Sequence, residues 1–199
     1  MKFSFVSLAA AATFLLGAGA FADPADSCAG CHGKDGVSTE AAIPTISGMS
    51  VKYLADTLGD YQKKNRPCPE ATVVSGDKKG TKTDMCQVAT ALSAADVASV
   101  AKTYSSKPYA KTAQSADAAL AAKGKAIHEK QCEKCHTESG TVADDDSGFL
   151  GGQKAAYLAA QLKDFKDKKR PVPTKMQPKL DDVPVTDLDA LVAYYSSLK

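Results

Sequence analysis

Two short runs in this chain have the residue types and spacing to bond a porphyrin: Cys28-Ala29-Gly30-Cys31-His32 and Cys132-Glu133-Lys134-Cys135-His136. Paired thiols at this spacing can add to the two vinyl groups of a haem. The His beside the second thiol is then tethered under the iron as an axial ligand. A zinc ribbon also uses Cys-x-x-Cys pairs, but it needs no His directly after each. Two complete runs therefore imply two covalent haem c groups, each with one iron. Cys28, Cys31, Cys132 and Cys135 would form the thioethers, and His32 and His136 would be the proximal ligands.

The remaining ligands are limited by composition. The chain has three His and four Met, so His128 is the only imidazole outside the two runs. A soft Met thioether that raises the haem potential is the expected sixth ligand. Past His136 the only Met is Met176, 40 residues on, and the chain's internal repeat pairs it with Met85. The expected iron ligands are thus His32 with Met85 and His136 with Met176. Met49 aligns with Gln153 at the start of a helix and is expected to pack or lie exposed instead. Gly124 and His128 are four apart, on one face of a helix; there Gly lets another helix approach and the His ring packs beside it.

The repeat covers most of the sequence. The second run starts 104 residues after the first, and the same offset pairs Gly36 with Gly140, Gly48 with Gly152 and Tyr53-Leu54 with Tyr157-Leu158. Arg66-Pro67 falls on Arg170-Pro171 and Pro69 on Pro173. Beyond these the offset is 91, so the first half carries 13 extra residues. Met85 then meets Met176, and Tyr104-Ser105-Ser106 meets Tyr195-Ser196-Ser197. One gap that aligns this much implies two similar domains, expected at 23–106 and 116–199 with a linker at 107–115.

The elements that must position these groups read as helices, giving an all-α fold wrapped around two haems. Val51, Leu54, Leu58 and Tyr61 form a helical stripe, and Leu158, Leu162 and Phe165 repeat it. Pro67 and Pro171 are expected to stop these two helices. Ser93 with Asp96 resembles a capping box at the start of the last helix of the first half. No run alternates strongly enough to predict a sheet. Halves of this size have little apolar mass of their own, and an enclosed haem would supply much of each core.

Further contacts to the cofactor follow from the repeat. Pro44 lies 12 residues after His32, where its carbonyl could accept the imidazole N–H; its counterpart is Gly148, so the second half needs a different arrangement. Arg66 and Arg170, with Tyr53 and Tyr157, are candidate partners of the haem propionates. The lysines between Lys163 and Lys169 and the triplet Asp144-Asp145-Asp146 read as solvated faces.

The N-terminus reads as an export signal. Lys2 precedes a small, apolar stretch from Phe3 to Ala20, and Ala20-Phe21-Ala22 is a cleavage site. Residues 1–22 are thus expected to be removed, leaving a periplasmic protein with no transmembrane anchor. Export also permits a disulfide between the two Cys outside the haem runs, Cys68 and Cys86, which flank the extra segment. Without Lys2, 24 basic residues face 23 acidic ones, and four ionised propionates would leave the protein mildly acidic. Nucleic acid is not an expected partner on those terms.

At this point the chain resembles class I cytochromes c arranged as two tandem domains, over essentially all of the sequence after the signal. Gly151-Gly152-Gln153 and the helix from Tyr157 to Phe165 are similar to cytochrome c4, a periplasmic dihaem carrier. Gly124 to His136, Arg170-Pro171, Lys175-Met176, Lys179-Leu180 and Leu188-Asp189-Ala190-Leu191 resemble the dihaem subunit of flavocytochrome c sulfide dehydrogenase. The Cys68/Cys86 segment departs from both. The resemblance implies an electron-transfer protein rather than an enzyme, passing single electrons between redox proteins such as a flavoprotein sulfide dehydrogenase subunit or a terminal oxidase. The rival is a dihaem enzyme of peroxidase or thiosulfate-oxidising type. That enzyme would need an open iron position, and the two matched Met argue against it.

Overall fold

A computed structural model describes residues 24–199; the expected signal segment lies outside the described residues. The first half runs α1 (Pro24–His32), α2 (Val51–Gln62), strands β1 (Ala71–Thr72) and β2 (Lys82–Thr83), α3 (Met85–Thr90) and α4 (Ala94–Ser105). The second runs α5 (Ala118–Ile127), which continues as a wider π turn at His128–Cys132, then α6 (Ala155–Lys166), α7 (Gln177–Asp181) and α8 (Leu188–Ser197). The predicted all-α architecture is observed. The one departure is the antiparallel pair β1–β2, with Ala71 opposite Thr83 and Thr72 opposite Lys82. Two-residue strands are too short to carry an alternating pattern, so this ladder was invisible to periodicity.

The repeat is reproduced in the backbone bonds of its turns. Gly36 and Gly140 both hold positive φ (78° and 71°) and accept a later backbone N–H, from Ile46 and from Leu150. Gly48 and Gly152 donate to the carbonyls of Tyr104 and Tyr195. The helix ends correct one expectation. Neither Pro67 nor Pro171 stops its helix, because α2 and α6 have already ended in a left-handed lysine, Lys64 (φ 56°) and Lys168 (φ 57°). Around each, the N–H of Asn65 or Lys169 reaches back to Asp60 or Asp164, and that of Lys64 or Lys168 to Tyr61 or Phe165. This is the paired Schellman closure that satisfies the last carbonyls of a helix.

The placement of the gap is supported in the same way. At the end of α2, Gln62 Nε2 donates to the Ala89 and Leu92 carbonyls, both at 3.0 Å. At the end of α6, Lys166 Nζ donates to the Leu180 and Val183 carbonyls, at 2.5 and 2.7 Å. Donors 104 residues apart meet acceptors 91 residues apart, so the segments starting at Met85 and Met176 are structural equivalents.

Each half has a core. Leu54, Leu58, Val100, Ala101 and Tyr104 fill the first, and Leu158, Leu188, Leu191, Tyr194 and Tyr195 the second. In the second, α5 lies along α8 so closely that a Cβ on Gly124 would run into the Ala190 carbonyl oxygen. The capping box at α4 is present, Ser93 and Asp96 each holding the other's backbone N–H. Between the halves, residues 107–115 are bound along their length. Tyr109 stacks on Phe149 with centroids 4.1 Å apart and donates to the Gly151 carbonyl, and the Gln114 N–H donates to the Ser196 carbonyl at 2.8 Å.

Candidate haem sites and the interface between them

The first run occupies the end of α1, which carries Cys28, Cys31 and His32 within two turns. His32 is buried, and its Nδ1 lies 2.9 Å from the Pro44 carbonyl oxygen, the contact anticipated from the 12-residue spacing. This bond uses Nδ1 and leaves Nε2 for a metal. Burial lowers the His32 pKa, the Pro44 carbonyl opposing it, so the ring is held neutral, as a ligand must be. Tyr104 locks α1 in place by donating from its hydroxyl to the Ala25 carbonyl at 2.9 Å. Met85 opens α3 and packs on the cluster that contains Cys28.

The second run follows the π turn. His128, fully buried, places Nδ1 2.8 Å from the Tyr195 hydroxyl and Nε2 against the Glu133 carboxylate. Both ring nitrogens are thereby engaged, and His128 has the packing role expected of it. The Tyr195 hydroxyl also reaches Cys132, whose pKa burial raises. His136 Nδ1 is buried with no hydrogen-bond partner, and burial lowers its pKa, with His128 adding to the effect. Met176 is half-buried at the start of α7. Of the two expectations for Met49, packing is the one observed: it is buried at 2% exposure in the first core.

Tyr53, Tyr157, Arg66 and Arg170, separated by up to 117 residues in sequence, meet at the junction of the halves. Arg66 Nη2 donates to the Gln161 amide oxygen at 2.7 Å and to the Tyr157 hydroxyl at 3.3 Å. Arg170 Nη1 donates to the same Gln161 oxygen at 2.7 Å. Each guanidinium also lies over a ring of its own half, Arg66 over Tyr61 at 4.7 Å and Arg170 over Phe165 at 4.3 Å. Burial alone would raise the Tyr53 phenol, but Arg66 and Arg170 together hold it below its ordinary value. Burial pushes Tyr157 up to about 12.

A second interdomain link was missed in the sequence. Gln153 and Thr45, both at 0% exposure, bond reciprocally: the Thr45 N–H donates to Oε1 and Nε2 donates to the Thr45 carbonyl, each at 2.9 Å. The signal was Gln153 standing where the repeat has Met49, a polar residue at a core position. Gln161, which aligns with Thr57, carried no comparable signal.

None of the four run thiols is in a disulfide, whereas Cys68 and Cys86 are bonded as expected, with Cα atoms 5.8 Å apart. Two further observations test whether covalent haem fits here. The Arg66 guanidinium is 4% exposed, its Nε has no partner, and neither it nor Arg170 pairs with a carboxylate among the described residues. Buried cations without a counter-charge are costly, and haem propionates are anions of the required kind. The residues fit the group.

Sequence models of two families match the two halves: cytochrome c over residues 16–102, and cytochrome c oxidase, cbb3-type, subunit III over residues 119–194. A cytochrome c4 of Stutzerimonas stutzeri is 34% identical over 154 residues, 72% of this chain and 69% of that protein. The thiosulfate dehydrogenase electron acceptor of Thiomonas intermedia is 35% identical over 156 residues, 73% of this chain and 65% of that protein. The crystal structure of reduced recombinant cytochrome c4 from Pseudomonas stutzeri superposes with a TM-score of 0.68 at 30% identity, covering 87% of this chain and 94% of that one. Fold and paired runs define a dihaem class I cytochrome c with two covalent haem c groups, an electron-transfer protein. The chain belongs to the cytochrome c4 family.

Proposed function

We propose that the protein is a periplasmic dihaem carrier that takes single electrons from a dehydrogenase and passes them to a terminal oxidase or another redox protein. In this reading residues 23–106 and 116–199 each hold one haem, joined by 107–115. Cys28 with Cys31 and Cys132 with Cys135 form the thioethers. His32 with Met85 and His136 with Met176 fill the axial positions, which leaves no iron site for a substrate. The bound haem supplies a reversible one-electron couple; the chain excludes water, keeps the imidazoles neutral and sets the potentials through its ligands.

The observation that carries the reading is the buried junction of Arg66, Tyr53, Tyr157 and Arg170, contributed equally by both halves. Such a pocket would gather the propionates of both haems at one interface, the arrangement a two-haem relay needs. The likeness to a cytochrome c4 and to a thiosulfate dehydrogenase electron acceptor supports a donor that oxidises reduced sulfur compounds, and the flavoprotein sulfide dehydrogenase partner is of the same class. No helix among the described residues is long and apolar enough to cross a membrane, and the export signal supports the periplasmic assignment.

The test is a visible spectrum with ligand challenge on the holoprotein. Two low-spin haems with intact Met–iron bands, and no rapid uptake of cyanide or carbon monoxide, are expected. Rapid ligand binding at one haem would instead identify a dihaem enzyme.

A further inference from the structure

The 13 extra residues of the first half do not hang free. The β1–β2 hairpin folds back onto the first Cys-x-x-Cys-His run. The N–H groups of Val74 and Ser75 both donate to the Gly30 carbonyl, at 2.9 and 3.1 Å, and the Ser75 hydroxyl donates to the Ala29 carbonyl at 3.3 Å. Val73 is buried against this turn; a Cβ on Gly30 would sit 2.9 Å from its Cγ1. The Cys68–Cys86 bond closes the base of the hairpin.

The second half has none of this. Its loop is shorter, and Lys134 and Cys135 are exposed. The residue aligned with Gly30 is Lys134, a long side chain where the first half has no side chain at all. Glycine stands in the one turn that must admit another segment, and lysine in the turn that faces solvent.

Thioether bonds fix the vinyl-derived edge of a haem at the two Cys that form them. We propose that the 69–83 hairpin is a cover over the thioether edge of the first-half haem, leaving the turn Glu133-Lys134-Cys135 as the face at which an external one-electron redox protein exchanges with the chain. Transfer there is outer-sphere: one electron passes between the partner and a haem iron, with no bond made or broken. The inference rests on the dihaem carrier reading above.

The ferric holoprotein tests it by proton NMR, in which low-spin haems give resolved methyl signals. A neutral gadolinium chelate should broaden the methyls at the thioether edge of the second haem about threefold more than those of the first, because such broadening falls steeply with distance of approach. Equal broadening would overturn the cover. In Gly30→Lys, which places the second-half residue under the hairpin, the first haem should become as accessible as the second; unchanged protection in a folded variant would also overturn it. If that variant fails to fold, the wild-type comparison decides alone.

The docking face has its own readout. Oxidation of the fully reduced protein by hexacyanoferrate(III), an anionic one-electron acceptor, should slow about threefold in Lys134→Glu at low salt and not in Lys79→Glu at the hairpin tip. The reverse order would place exchange at the hairpin and refute the proposal. Fewer than two covalent haems per chain would instead sink the carrier reading, which separates the two failures.

Discussion

The two haem domains share a backbone plan and differ in what surrounds the His of each Cys-x-x-Cys-His run. In the first, the Pro44 carbonyl takes the His32 N–H; in the second, His136 Nδ1 has no partner. Across the interface, a Cβ at Gly148, the counterpart of Pro44, would run into the Tyr53 hydroxyl of the first domain. The last helices diverge in the same manner. Tyr104 anchors α1 through a backbone carbonyl, whereas its equivalent Tyr195 binds the imidazole of His128. Duplicated domains that pack against each other need not keep duplicated sites. A hydrogen bond to the proximal imidazole raises its basicity, so the two irons are expected to differ in potential.

Ligand removal gives the largest contrast. Met176→Ala should convert only the second haem to a high-spin or water-ligated form, lower its potential and remove about half of the Met–iron band, with Met85→Ala doing the same to the first. A spectrum unchanged in either variant would refute that ligand. Gly124→Ala comes next. Its Cβ would overlap the Ala190 carbonyl oxygen, and forcing α5 from α8 should cost about 3 kcal/mol or more. Calorimetry should then show the second domain melting ahead of the first; a single unshifted transition would count against so close a helix crossing.

The disulfide belongs to the first domain alone. Replacing Cys68 and Cys86 with Ser opens a loop with a sequence separation of 18 and should lower stability by about 3 kcal/mol in the chain-entropy account. Chemical denaturation followed at the first haem measures this, and thiol titration of the denatured, unreduced holoprotein should find no free thiol. The smallest effect is expected from Gln153→Ala. It leaves the buried Thr45 N–H and carbonyl without partners, a loss of ~1–3 kcal/mol that should loosen the domains from each other. Redox titration should then show weaker coupling between the haems, and unaltered coupling would mean that the arginine–tyrosine cluster alone holds the interface.

Much of the site was readable in advance because the relevant spacings are short or repeated. Pro44 could be matched to His32 because 12 residues of loop return to the same ring, and Gly124 could be matched to a helix crossing because it shares a face with His128. The helix ends misled where proline seemed sufficient, since the left-handed Lys64 and Lys168 terminate α2 and α6 first. No spacing warned that Gln161 would serve both arginines, because its two partners come from different domains.

By itself, the sequence determined the number of haems, the duplication and the position of the inserted segment. These are covalent or local properties, set by residue order and by the helical period. The tertiary structure alone decided that His136 lacks a carbonyl, that Gln153 grips Thr45, and that the inserted hairpin lies on Gly30. Those contacts join residues 44 to 108 positions apart, and only the packing of distant segments against one another brings such groups within hydrogen-bonding range.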